Sequence, residues 1–212
     1  IVLPEIFGIT DFIKSVTDRF ADEFSLPAFA LDHFYSVTSK AEVFDYYGDY
    51  DRNVAIMNQM HGEDFYRLFQ QALEDIQEEY PDITEFVVCG FCFGGRLAYL
   101  AGMDSRVTNI LSFYGGQPHI ANYFEGKSPV EALAHTRGDS QLEVLAFYGE
   151  QDESIPAQDR VKTKDLLGAA KIGYTEKVYA DAGHAYFNDA RTEKYNVEAA
   201  KDSWKVIQNF LG

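Results

Sequence analysis

The chain has 212 residues and a formal net charge of −16, which excludes a surface built for nucleic acid or anionic lipid, since both need clustered basic side chains. With 46% hydrophobic and 15% aromatic residues it carries enough apolar mass for one sizeable core, and a single domain over residues 1–212 is expected. No apolar run approaches the roughly 18 residues of a membrane span and no leader pattern is evident, so no membrane partner is expected and cytoplasmic placement is the default.

Residues 1–3 read as a short apolar strand ended by Pro4. Because the chain starts inside that strand without a methionine, further N-terminal strands are expected to be missing from it. Thr10 and Asp11 are good N-cap residues, and Phe12, Ile13, Val16, Phe20 and Phe24 recur at helical spacing, which predicts a helix over 11–24. Pro27 precedes a second strand over 28–31. Residues 32–61 have no clear period. A loop that long inside a compact chain is often functional, and its stretch 46–51, rich in Tyr and Asp, reads as a solvated cover able to act as a lid. Helical spacing returns over 62–80 through Phe65, Leu68, Phe69, Ala72, Leu73 and Ile76.

The next segment organises the rest. Phe86-Val87-Val88 is a β-type run that reaches Gly90, passes Cys92, meets Gly94-Gly95 and continues as helix-forming Arg96-Leu97-Ala98-Tyr99-Leu100. Strand, sharp turn and helix around Gly-x-Cys-x-Gly form a nucleophile elbow with cysteine in the place more usual for serine. The turn sets the Cys92 sulfur at a helix N-terminus, where the helix dipole and unpaired N–H groups favour the thiolate. Further on, strands are predicted over 110–114, 143–148 and 174–179. Helices are predicted around 129–134, from 157 to about 170, and from 196 to 211; the last presents Ala199, Ala200, Trp204, Ile207, Phe210 and Leu211 on one face. Alternating β and α with near-continuous apolar strands predicts an α/β fold, a mostly parallel central sheet with helices on both faces and its site at the strands' C-terminal ends.

A nucleophilic cysteine needs a base and a group that orients the base. After the 143–148 strand comes Gly149-Glu-Gln-Asp152, and after the 174–179 strand Ala182-Gly-His184. Nucleophile, acid and histidine then follow in the order of an α/β-hydrolase sheet, with His184 as base and Asp152 fixing its tautomer. The oxyanion hole is expected from the N–H of Phe93 and, on the loop after the first strand, of Ile6. Glu5 beside it is placed to contact the thiol or the substrate. Arg96, one helical turn past Cys92, either touches the site or pairs with a surface carboxylate. Cys89 and Cys92 are the only cysteines. Their C-x-x-C spacing keeps thiol–disulfide exchange open as a second class of function, although Cys89 belongs to the strand, where packing is its expected role. A non-catalytic binding protein on the same scaffold is a third. His33, His61, His119 and His135 have no close ligand partners in sequence, so no metal is expected.

Taken together, Pro4-Glu5-Ile6-Phe7-Gly8, Gly90-Phe-Cys92-Phe-Gly-Gly95, the Gly149 to Asp152 loop with Ile155-Pro156, and Ala182-Gly-His184-Ala-Tyr-Phe187 resemble the dienelactone hydrolase family of α/β-hydrolases over nearly the whole chain. The resemblance implies a Cys92-His184-Asp152 triad, an oxyanion hole at Ile6 and Phe93, and a Glu5 that helps activate the cysteine. It also implies no cofactor and a small ester or lactone as partner; monomer and homodimer both remain open. Dienelactone hydrolase proper binds its substrate's carboxylate with arginines, one of them four residues after the catalytic histidine. Here that position is Asn188, so a weak preference for charged substrates is expected, and Arg191 is the nearest substitute. Residues 117–141 are longer than in that enzyme and free to reshape the pocket.

Overall fold

The computed structural model describes residues 1–38, 44–48, 50–138 and 140–212. Its helices are α1 (Asp11–Phe24), α2 (Tyr35–Thr38), α3 (Tyr50–Met57), α4 (Gly62–Glu79), α5 (Phe93–Ala101), α6 (Pro129–Arg137), α7 (Ala157–Ala169) and α8 (Val197–Leu211). Five strands, β1 (Val2–Leu3), β2 (Phe86–Phe91), β3 (Val107–Phe113), β4 (Glu143–Gly149) and β5 (Gly173–Tyr179), form one sheet in that order, every pair parallel. Among the described residues no helix is long and apolar enough to cross a membrane.

Parallel neighbours need crossover connections, and because these are right-handed, the direction of travel along the sheet decides which face a helix covers. From β2 to β5 the chain always steps the same way. Leu97 of α5, Leu133 of α6 and Leu167 of α7, with Leu73 of α4, accordingly meet Val88, Ile110 and Val144 in one apolar cluster. The step from β1 to its outer neighbour, which touches Val2 through a bridge at Ala30, goes the other way. Phe12, Ile13 and Val16 of α1 therefore pack on the opposite face with Trp204 and Ile207 of α8, against Cys89, Leu111 and Phe147. The chain leaves β1 in one direction and returns on its other side as β2. Loops that part in this way open a crevice at the strand ends, the usual place for a ligand in such sheets.

Two expectations differ from the structure. Residues 28–31 are reduced to that single bridge, with Val2 N donating to Phe29 O and Leu31 N to Val2 O. Pro4 lacks an N–H and closes the short β1, so the outer segment has no ladder to extend along. Residues 32–61 are not one loop but carry α2 and α3. Their period was hidden because buried Asn53 stands in the inward stripe of α3 while Tyr50 is exposed. Residues 39–43 of the expected loop and residue 49 of the expected cover lie outside the described residues. Elsewhere the reading holds closely; α6 runs to Arg137, three residues beyond expectation, from a capping box of Ser128 and Glu131.

Candidate active site

β2 ends at Phe91 and α5 begins at Phe93, so the whole reversal falls on Cys92. Its backbone sits at φ 53°, ψ −111°, a sparsely populated conformation that costs on the order of 1–3 kcal/mol and persists only where its surroundings hold it. Cys92 N donates to Phe113 O at 3.0 Å, and Cys92 O accepts from Arg96 N at 3.2 Å. Gly90 permits the fold-back: a Cβ there would stand 2.1 Å from Gly94 O. Gly94 N in turn donates to Pro4 O at 3.1 Å, which ties the start of α5 to the segment after β1. Ile6 and Phe93 line the same cleft as Cys92, and among the described residues no backbone acceptor outside the helices and strands takes either N–H.

The acid and histidine loops are stitched to one another before their side chains meet. Glu150 N donates to Tyr179 O and Gln151 N to Ala182 O, both at 2.9 Å. Only glycine fits at 149, where a Cβ would stand 2.3 Å from Ala182 O. The result brings the three separated side chains into line: Cys92 Sγ lies 3.2 Å from His184 Nε2, and His184 Nδ1 lies 2.6 Å from Asp152 Oδ2. Burial pushes Asp152 up, but the His184 hydrogen bond and charge and two bonds from Ser154 outweigh it, and the carboxyl is held below its ordinary value. Burial likewise works against a charged His184, yet the neighbouring Cys92 and Asp152 raise it well above the ordinary histidine value. The His184 ring therefore stands between the Cys92 sulfur and the Asp152 carboxylate, both of which favour its charged form. Ser154, which donates to Asp152 Oδ1 through both its N–H and its hydroxyl, was missed in the sequence. The Asp-x-Ser spacing of an Asx turn was the available signal.

Glu5 is 2% exposed and does not line the cleft. Oε2 accepts from Asn188 Nδ2 at 2.7 Å, while Oε1 has no hydrogen-bond partner among the described residues. Burial raises its carboxyl against the lowering influence of Asn188, His184 and Arg191. Asn188, expected to face substrate, is fully buried and turned inward; Nδ2 also reaches Tyr46 Oη at 3.3 Å, and that hydroxyl donates to Thr10 Oγ1 at 3.1 Å. This pairing had no sequence signal, because it joins residues 183 positions apart.

The cleft above Cys92 measures about 780 Å³, with Tyr50, Val54 and Met57 of α3 on one wall and Arg96, Gln117 and Arg191 on others. Residues of both the 32–61 and 117–141 segments thus contribute. Cys89 is a free thiol, 2% exposed, and burial pushes it far above the ordinary range, so it offers Cys92 no accessible exchange partner. Buried His33 packs between the Phe34 and Phe93 rings with its pKa lowered to about 3, and His119 bonds Asp159 O and Thr163 Oγ1. Among the described residues no group of three or more His, Cys, Asp or Glu is placed to hold a metal ion.

The family model described as the dienelactone hydrolase family matches residues 1–212. A Synechocystis sp. protein named "Putative carboxymethylenebutenolidase" is 29% identical, covering 100% of this chain and 84% of its own. The crystal structure named "Putative Dienelactone Hydrolase" from Klebsiella pneumoniae superposes with a TM-score of 0.77 at 26% identity, over 97% of this chain and 82% of that one. A dienelactone hydrolase-like promiscuous phosphotriesterase from metagenomic libraries gives 0.78 at 23% identity, over 99% and 83%.

Proposed function

The chain belongs to the dienelactone hydrolase family, with the α/β-hydrolase fold, and on that premise we propose that it hydrolyses small carboxylic esters or lactones through a thioester formed on Cys92. The observation that carries this reading is the line Cys92 Sγ, His184, Asp152, at 3.2 and 2.6 Å, opening on a cleft beside two uncommitted N–H groups. In this reading the proton shared by Cys92 and His184 resides on His184 when the sulfur attacks the carbonyl carbon. The carbonyl π-pair moves onto oxygen, where the Ile6 and Phe93 N–H groups receive it. Collapse of the tetrahedral adduct breaks the C–O bond, and the leaving alkoxide takes the proton from His184 Nε2. In a lactone the alkoxide stays tethered to the acyl group. A water that gives its proton to His184 then attacks the thioester, releasing the carboxylic acid and restoring the Cys92–His184 pair. Asp152 holds the ring tautomer and offsets the imidazolium charge throughout.

Glu5 acts as a buried carboxyl in the field of His184 rather than as a wall of the cleft. No cofactor enters these steps, and one domain over 1–212 suffices for them. Hydrolysis of 4-nitrophenyl acetate tests the proposal. Cys92→Ala is expected to lower kcat/KM by roughly 10³-fold or more, while Cys89→Ala stays near wild type. Equal loss in both variants points instead to disulfide exchange. Failure of any ester to acylate Cys92 in intact-protein mass spectrometry refutes the thioester.

A further inference from the structure

α3 carries two stripes that run against the usual rule for a helix at a protein surface. The inward one holds Ile56 but also Asn53, which is fully buried and whose amide has no hydrogen-bond partner among the described residues, a costly arrangement. The other, Tyr50, Val54 and Met57, is apolar and lines the cleft of Cys92. At that spacing the three side chains share one face over about 10 Å of helix. Val54 and Met57 touch the core only from its margin, and Tyr50 is 56% exposed. An apolar stripe kept on a cleft wall while an amide goes inside has a use outside the core. The wall is also fixed beforehand. Just ahead of α3, Phe44 N donates to Phe7 O at 3.0 Å, the Tyr46 ring packs on Phe7 at 4.7 Å, and Tyr47 Oη donates to Glu193 Oε2 at 2.8 Å.

We propose that this stripe, with Ile6, is the acyl wall of the cleft, and that the substrate is an ester or lactone of an uncharged aliphatic acid whose hydrocarbon chain lies along α3. This rests on the hydrolase reading and names the acyl class for the same cleft. Direction follows from the two apolar clusters on opposite faces of the sheet. Cys92 packs against both. Ile6, Phe93, Val54 and Met57 belong to one, whereas Ala182, Ala185 and Ile155, from the loops of His184 and Asp152, belong to the other. The leaving oxygen must reach His184 Nε2 and so faces the second side; the acyl chain is left to the first. The four side chains of the wall carry no charge, and Arg96 in the adjoining wall is turned to protein acceptors, with Nε donating to Gly116 O at 2.8 Å and Nη2 to Gln117 Oε1 at 3.0 Å. The weak preference for charged substrates then has its cause in α3, since Asn188 is turned inward to Glu5.

The test is a series of 4-nitrophenyl esters, acetate, butyrate and hexanoate, with the mono-ester of adipic acid, which is the hexanoate with a carboxylate in place of its terminal methyl. In wild type kcat/KM is expected to rise about two- to fourfold for each added methylene, the scale of moving one from water onto an apolar surface. The adipate ester is expected to fall about tenfold or more below the hexanoate, because its charge loses water without gaining a partner. Val54→Thr and Met57→Gln keep size and add polarity, and together they should reduce the gradient to less than about twofold per methylene. Tyr50→Ser, at an exposed position, should lower it in part. A series that is flat in wild type, a gradient unchanged in the double variant, or an adipate ester as fast as the hexanoate overturns the acyl wall, while turnover of the acetate leaves ester hydrolysis standing. Binding of hexanamide and acetamide to Cys92→Ala protein, followed by NMR titration, needs no turnover. Tighter binding of hexanamide that the double variant abolishes supports the wall even if no ester is hydrolysed, and equal affinity for the two amides refutes it.

Discussion

Two buried carboxyl groups act on His184, Asp152 at 5% exposure and Glu5 at 2%, and their surroundings push them in opposite directions. Asp152 meets His184 Nδ1 and two donors from Ser154, and its carboxyl is held below its ordinary value. Glu5 meets one amide donor, leaves one oxygen without a hydrogen-bond partner among the described residues, and burial outweighs the lowering influence of Asn188, His184, Arg191 and Tyr114, so it is pushed toward its neutral form. Burial alone does not decide protonation. The number and charge of donors does, and two acids driven apart in this way are suited to different tasks.

The sharpest way to break the comparison is Asp152→Asn, which keeps the shape and removes the charge. His184 then loses the partner that fixes Nδ1–H, and kcat/KM is expected to fall about 10³- to 10⁴-fold. Stability should respond in a definite direction. Asp152 has a lowered folded pKa, so its contribution is present above its ordinary value of 3.8 and is lost as pH falls through the folded value. The variant should therefore show a flatter acid limb of thermal midpoint against pH. A loss in kcat/KM below tenfold excludes Asp152 as the orienting acid.

The Asp152 end was readable in the sequence and the Glu5 end only half so. Cys92, Asp152 and His184 sit on loops forced by strand order and by glycines at 90 and 149, and such constraints are local and carry residue-type signals. Asn188 was read as a surface toward substrate because helix and strand periods say nothing about which way a loop side chain turns. Its bond to Glu5 needs both ends of the chain to be placed. Over residues 32–61 the helical signal fails for a local reason: a buried asparagine at 53 interrupts the apolar stripe by which a helix is recognised.

Glu5→Gln is the next largest test, since the amide keeps an acceptor for Asn188 and removes the titration. A carboxyl whose pKa rises on folding binds more protons in the native state, so it costs stability as pH climbs above its ordinary value of 4.5. His184, also raised, gives stability that is present below 6.5 and lost as pH rises through its folded value, and it does so in both proteins. The difference in thermal midpoint between Glu5→Gln and wild type should therefore grow as pH rises from 4.5 toward the raised folded value, by about 2–4 °C for each kcal/mol. Activity is expected to fall about tenfold with one limb of the pH profile gone. A difference that is constant with pH means that Glu5 is not raised, and the contrast with Asp152 disappears.

Tyr46→Phe carries the smallest expected effect and asks what holds the Glu5 end together. The ring packs edge-on to Phe7 at 4.7 Å and stays, while the hydroxyl's contacts with Thr10 and Asn188 are lost. Those bonds are long and neutral, worth about 1 kcal/mol, whereas the bond from Asn188 to Glu5 at 2.7 Å is untouched. If Asn188 alone positions Glu5, kcat/KM should change by less than about threefold, and the alkaline slope of stability should match wild type. If Tyr46→Phe instead reproduces the flattened slope of Glu5→Gln, the segment carrying Tyr46 sets the protonation of Glu5. The two acids would then differ in a second respect: Asp152 is governed by its own loop and by His184, and Glu5 by the segment that carries Tyr46.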